Sequence, residues 1–234
     1  MLGFYNYTTW LTYLGLLSGV AGIWCALSGH GNVAVFFLAL SGFFDLFDGK
    51  VAQTKKDRTE EMKEFGIQID SLSDLVCFCV LPGCILFTVV KNALGAEAEI
   101  LWFLPVFMAI VLAGLIRLSY FNVSEKKRQQ EEGGKVRKVY SGIPVTLTAV
   151  AVPFFLAIYK ILFMLFGSPE VEQTWQTGYL IFYCAELLFF AFGFLFKGFK
   201  VNKVHGKKML IPLLIGAVAI LVVAATFIIS SINT

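Results

Sequence analysis

Apolar residues in this chain gather into runs of about twenty, each long enough to cross a bilayer core as a helix. Seven runs are read, at residues 8–28, 33–52, 70–90, 100–121, 143–166, 178–196 and 209–229. The breaks between them carry turn and polar signals. Three are short ("SGHGN", "KNALGAEAE", "GSPEVEQT") and three are longer and basic. The pattern predicts an all-α, polytopic membrane helix bundle of about seven transmembrane helices. The first run has no basic cluster before it and no obvious small-residue cleavage site, so it is read as a retained span rather than a signal peptide.

Composition agrees with a membrane protein. Of the 234 residues, 58% are hydrophobic and only 15% are charged, with mean hydropathy +0.77. A soluble domain carries roughly 25% charged residues. The five cysteines (Cys25, Cys77, Cys79, Cys84, Cys184) all fall in apolar stretches without zinc-finger or disulfide-framework spacing, and are read as small packing residues. Gly15 and Gly19 form a GxxxG pair that offers a close-packing face on the first span.

Charge sets the orientation. Segments 50–69, 122–140 and 197–208 hold five, six and five Lys or Arg, which is sixteen of the nineteen in the chain. They alternate along the chain, so the positive-inside rule makes them cytoplasmic and places the N-terminus inside. The last span, without a single charge, reads as an anchor or packing helix.

One basic segment is flanked by acids that have no place in an apolar run. Asp45 and Asp48 are three residues apart at the end of the second span, and Asp70 and Asp74 are four apart at the start of the third. Each pair therefore shares one helix face. Asp45 and Asp74, the inner member of each pair, lie on the order of 6–8 Å in from their loop ends, by helical rise. Four converging carboxylates repel one another unless a cation lies between them. Mg²⁺ or Mn²⁺ suits such oxygen donors, and two ions roughly 3.5–4 Å apart suit phosphoryl transfer. Gly49 and Gly66 leave room beside the acids for a phosphate or a base.

The spacing Asp-x-x-Asp-Gly-x-x-Ala followed by Gly-x-x-x-Asp-x-x-x-Asp, here Asp45, Asp48, Gly49, Ala52, Gly66, Asp70 and Asp74, resembles the signature of the CDP-alcohol phosphotransferase family. The resemblance implies a six-helix core over residues 1–200, with 201–234 adding a basic cytoplasmic loop and one further helix. Where the family usually has Arg after the alanine, this chain has Gln53, with Lys50, Lys55 and Lys56 nearby. "IDSLSDLVCF", "RLSYFNV" and "YSGIPVT" are similar to the serine-using group, the phosphatidylserine synthases. That likeness implies an enzyme that transfers a phosphatidyl group from CDP-diacylglycerol to L-serine at the cytoplasmic face of a bacterial or archaeal membrane. It implies a homodimer, and no nucleic-acid partner is expected.

By the same resemblance, Asp45, Asp48, Asp70 and Asp74 hold metal and Asp74 is also the general base. Gly49, Ala52, Gln53, Gly66, Lys50 and Thr12 surround the CDP-lipid. Arg117, the only arginine inside a span, and Arg137 with Lys138 are candidates for the acceptor or a phosphate. Glu186 is left unassigned, and Lys160 is expected to reach an interface. Two rivals stay open: a sister enzyme using glycerol 3-phosphate or inositol phosphate, and a divalent-cation transporter.

Overall fold

A computed structural model describes residues 3–4, 7–55, 57–95, 97–132, 139–198, 200–202, 214–219, 221–222 and 225. Six of the seven expected spans appear in the expected order, built from seven helices. They are α1 (Trp10–Leu27), α2 (Gly31–Thr54), α3 (Glu60–Leu75), α4 (Leu81–Leu94), α5 (Leu104–Glu132), α6 (Thr148–Phe166) and α7 (Glu172–Leu195). A single π turn, Val76–Val80, joins α3 to α4 without a break. Among the described residues, six helical segments are long and apolar enough to cross a membrane, the third of them being Glu60–Leu94. The seventh expected span falls mostly outside the described residues, although 214–219 are helical and Ala219 is buried.

Several boundaries depart from the hydropathy pattern, each for a physical reason. The third span begins ten residues before Asp70, because Thr59 caps α3 by accepting from the Met62 amide at 3.2 Å and Glu60 and Glu61 occupy the first turn. The 35 residues of this span are about 50 Å long, well over a hydrocarbon core of ~30 Å. Its polar first turns therefore project beyond the apolar zone. There they meet the equally polar end of α5, which runs on past Phe121 to Glu132. Lys126 pairs with Glu64 at 2.7 Å, and the Asn122 amide donates to Ser71 Oγ at 2.8 Å. The sixth span starts at Glu172 rather than 178. An antiparallel ribbon of three residues per strand, β1 (Val139–Ser141) with β2 (Lys200–Asn202), ties two of the basic segments together.

Lipid gives helices no hydrophobic reason to associate, so small residues and buried hydrogen bonds hold the bundle. The seam between α1 and its neighbours shows both. Ser41 Oγ donates to the Gly15 carbonyl at 3.0 Å, and Ser18 Oγ to that of Phe37 at 3.0 Å. A Cβ at Gly19 would stand 2.5 Å from Cys77 Sγ, so the GxxxG face is a true close approach. Thr88 Oγ1 donates to the Ala26 carbonyl at 2.7 Å, and Tyr183 Oη to that of Pro82 at 2.9 Å. Outward faces stay apolar, with Trp24 and Trp102 about three-quarters exposed at the end remote from the acids. Glu186 is buried in α7, with neither carboxylate oxygen partnered among the described residues.

Candidate active site

α2 and α3 run antiparallel through the bundle, and α1 lies against both. This brings the two acidic pairs face to face at one end. Oxygens of Asp45, Asp70 and Asp74 lie within 4.8 Å of one another. Asp48 completes the group: it is buried, faces Asp70 across the helix pair, and accepts a hydrogen bond from Thr12 Oγ1 at 3.0 Å. Asp45 faces Asp74 in the same way. The cavity they share is lined also by Gly15, Ser41, Ser73 and Cys77. Ser73 Oγ donates to the Thr12 carbonyl at 3.5 Å, and Cys77 Sγ to that of Gly15 at 3.4 Å. Cys77 and Cys79 are thus packing residues, and Cys79 Sγ sits 2.2 Å from where a Cβ on Gly114 would be.

Carboxylates this close, with the Thr12 hydroxyl donating to one of them, could hold a divalent cation through hard oxygen donors. The carboxylate oxygens fit Mg²⁺ or Mn²⁺, and the Cys77 thiol on the cavity wall is engaged with the Gly15 carbonyl. Thr12, expected near the nucleotide, is engaged with Asp48.

Gly49 and Gly66 behave differently. A Cβ on Gly49 would meet nothing within 4 Å, so the room beside Asp48 is open. The room at Gly66 is filled by Arg58, whose Nη2 lies 2.7 Å from the position a Cβ would take. Arg58 also donates to the carbonyls of Ala52 at 3.3 Å and Met62 at 3.2 Å, while its buried Nε has no partner among the described residues. A guanidinium therefore stands one helical turn outside the acids, against two of the expected nucleotide contacts. Sequence reading counted Arg58 only as a loop charge. Its signal was its place in a short link between two acid-bearing helices. Gln53 and Lys50 lie on the last turns of α2, with side chains outside the described set.

Arg117 is buried on α5 but outside the acidic cavity. Its Nη2 donates to the Gly142 carbonyl at 3.4 Å, and Gly142 takes φ +81°, a conformation that favours glycine. Arg117, Tyr120, Gly142, Phe194 and Lys197 line a separate cavity of about 130 Å³. Lys197 Nζ lies 5.3 Å from the centre of the Tyr120 ring. Arg137 and Lys138 lie outside the described residues.

The family model described as CDP-alcohol phosphatidyltransferase matches residues 5–171. The chain is 32% identical over 145 residues to the archaetidylserine synthase of Methanothermobacter thermautotrophicus, a match covering 62% of this chain and 55% of that protein. It is 30% identical over 150 residues to the CDP-diacylglycerol–serine O-phosphatidyltransferase of Saccharomyces cerevisiae, covering 60% and 50%. With the protein of that same name from Helicobacter pylori strain J99 it shares 28% over 166 residues, covering 71% and 63%. The matched part spans between half and two thirds of each relative's length.

Proposed function

Since the chain belongs to the CDP-alcohol phosphatidyltransferase family, we propose that it moves a phosphatidyl group from CDP-diacylglycerol to the hydroxyl of L-serine, giving phosphatidylserine and CMP. The observation that carries this reading is the convergence of Asp45, Asp70 and Asp74 within 4.8 Å, with Asp48 beside them. The likeness to serine-named relatives in archaea, yeast and bacteria supports serine as the acceptor. A bound Mg²⁺ or Mn²⁺ pair would neutralise the diphosphate and the charge that develops on it.

The residues divide the remaining work. Asp45, Asp48, Asp70 and Asp74 hold the cations, and Thr12 fixes the Asp48 carboxylate. Asp74 takes the proton from the serine hydroxyl, whose oxygen then bonds to the phosphorus that carries diacylglycerol. The bond from that phosphorus to the bridging oxygen breaks, and CMP leaves with the electron pair. Gly49, Ala52, Gly66, Lys50 and Gln53 border the nucleotide, and the Arg58 guanidinium adds a positive group there. Arg117 and Lys197 form the basic wall for the serine carboxylate or a lipid phosphate, with Arg137 and Lys138 in the adjoining segment.

Among the described residues, Arg58, Lys63 and Lys126 lie beside the acid-bearing end of α3, which supports a cytoplasmic site and a cytoplasmic N-terminus. Residues 1–200 form the catalytic core and 201–234 an appendage, and the working unit is a homodimer in a bacterial or archaeal membrane.

The test is CMP release by the purified protein with CDP-diacylglycerol and Mn²⁺ or Mg²⁺, comparing L-serine, glycerol 3-phosphate, inositol phosphate and no acceptor. Release that needs serine supports the reading. Release with a phosphorylated acceptor alone moves the specificity to a sister enzyme. Metal uptake into liposomes without CMP release would favour a transporter.

A further inference from the structure

The π turn at Val76–Val80 begins two residues after Asp74, in the middle of the third span. Its defining bond runs from the Leu81 amide back to the Val76 carbonyl, five residues earlier. Ser73, Cys77 and Leu81 all face α1, meeting the Thr12 carbonyl, Gly19 and Gly22 in turn. Four residues advance an α-helix by about 400°, so a seam repeating every fourth residue drifts about 40° at each step. A widened turn absorbs that drift. It lets α3 aim Asp70 and Asp74 at Asp45 and Asp48 while α4 keeps its own packing face on α1.

Such a turn disturbs the carbonyl ladder, and Pro82 disturbs it further. Pro82 has no N–H to give to the carbonyl four residues before it, that of Phe78. Phe78 is buried, so water does not replace that donor easily. A donor within reach lies on another helix. Thr148 Oγ1, fully buried in the first turn of α6, lies 2.9 Å from the Phe78 carbonyl and 2.9 Å from that of Val145. The same turn of α6 presses on α2, because a Cβ on Gly42 would stand 2.6 Å from the Ala149 Cβ. Gly42 precedes Asp45 by three residues, and Phe78 follows Asp74 by four. One helical turn thus braces both acid-bearing helices next to their innermost carboxylates.

We propose that Thr148 is a positioning residue for the acidic centre: its hydroxyl, by bonding the Phe78 carbonyl that Pro82 leaves without a donor, fixes the widened turn that directs Asp74 toward Asp45. Thr148 touches no substrate and holds no cation. Its effect passes through the backbone of residues 76–80. The inference rests on the proposed role of the aspartates as cation ligands.

The test compares Thr148→Val, Thr148→Ser and Thr148→Cys with Thr88→Val in the full-length, detergent-solubilised protein. Thr88 is the control because its hydroxyl is equally buried and donates to the Ala26 carbonyl, away from the π turn. Mn²⁺ binding is read by titration calorimetry or electron paramagnetic resonance, alongside melting temperature. Loss of an outer support for metal ligands typically weakens metal affinity by 10–100-fold. An indirect support such as Thr148 belongs at the lower edge, so Thr148→Val should weaken Mn²⁺ binding on the order of tenfold.

Thr148→Ser should bind as the unmodified protein does, and Thr148→Cys, a weaker donor, should fall between. Thr88→Val should lower melting temperature while leaving Mn²⁺ binding within about twofold, since distant sites act independently. Equal Mn²⁺ binding by Thr148→Val and the unmodified protein would overturn the inference alone. If Thr148→Val does not fold, Thr148→Cys decides, and binding unchanged there overturns it too. An unmodified protein that binds no Mn²⁺ overturns the metal reading itself and this inference with it.

Discussion

Replacing Thr12 by valine removes one hydrogen-bond donor from the acidic centre and leaves the shape of the side chain nearly unchanged. The lost bond runs from Thr12 Oγ1 to Asp48 Oδ2 at 3.0 Å, in a buried setting. The Ser73 bond to the Thr12 carbonyl is a backbone contact and survives the change. A hydrogen bond to a charged acceptor contributes about 1.5–3 kcal/mol, which corresponds to roughly ten- to a hundredfold in an equilibrium or rate ratio. If Asp48 orients a cation against the diphosphate, that loss falls on kcat/KM. Bound cations offset part of it by drawing the carboxylate into place, so about tenfold is expected. Thr12→Ser keeps the hydroxyl and should stay within about threefold of the unmodified protein. The assay is CMP release over a range of Mn²⁺ concentrations, with melting temperature as a folding control. A Thr12→Val protein with unchanged kcat/KM and unchanged Mn²⁺ dependence would refute the claim that this hydroxyl serves the site.

If the Arg58 guanidinium serves the nucleotide phosphates as proposed, Arg58→Gln should raise KM for CDP-diacylglycerol by about tenfold with a smaller change in kcat; Gln53→Arg in the same protein should recover part of the loss, and an unchanged KM would show that Arg58 only closes the loop. Gly42→Ala should lower stability by about 1–3 kcal/mol, because the new methyl would lie 2.6 Å from the Ala149 Cβ; an unaltered melting temperature would mean that α2 and α6 separate more easily than their packing implies. Breaking the exposed Lys126–Glu64 pair by Lys126→Ala should leave melting temperature and turnover close to those of the unmodified protein, and a large loss of activity would place this pair in the mechanism.

The helices were legible because apolar runs have only one common use at this length. The acidic centre was legible for a different reason. Asp45 with Asp48 and Asp70 with Asp74 have the spacings that put side chains on one face, and the link between their helices is short enough to make the helices neighbours. Features written in polar or long-range terms were harder to read. The early start of α3 depends on the Thr59 cap and on Glu60 and Glu61, which hydropathy treats as loop. The π turn has no local composition of its own, and Pro82 marks it only when paired with the carbonyl of Phe78. Thr148 supplies the missing donor from 70 residues away, so no local pattern reveals it. Arg58 was hidden because a loop charge acquires meaning only once the loop is folded against Gly66. Arg117 was singled out for its depth, yet the fold turns it toward Gly142 and a cavity of its own.

The most direct test of the central claim is the formation of phosphatidylserine from CDP-diacylglycerol and labelled L-serine by the unmodified protein and by Asp74→Asn. The amide keeps the size of the carboxylate but neither accepts the serine proton nor carries the charge that holds a cation. The unmodified protein should put the label into lipid with one CMP released per lipid formed, and Asp74→Asn should be slower by about 10²–10⁴-fold. Labelled lipid formed by Asp74→Asn within a few-fold of the unmodified rate would contradict the account.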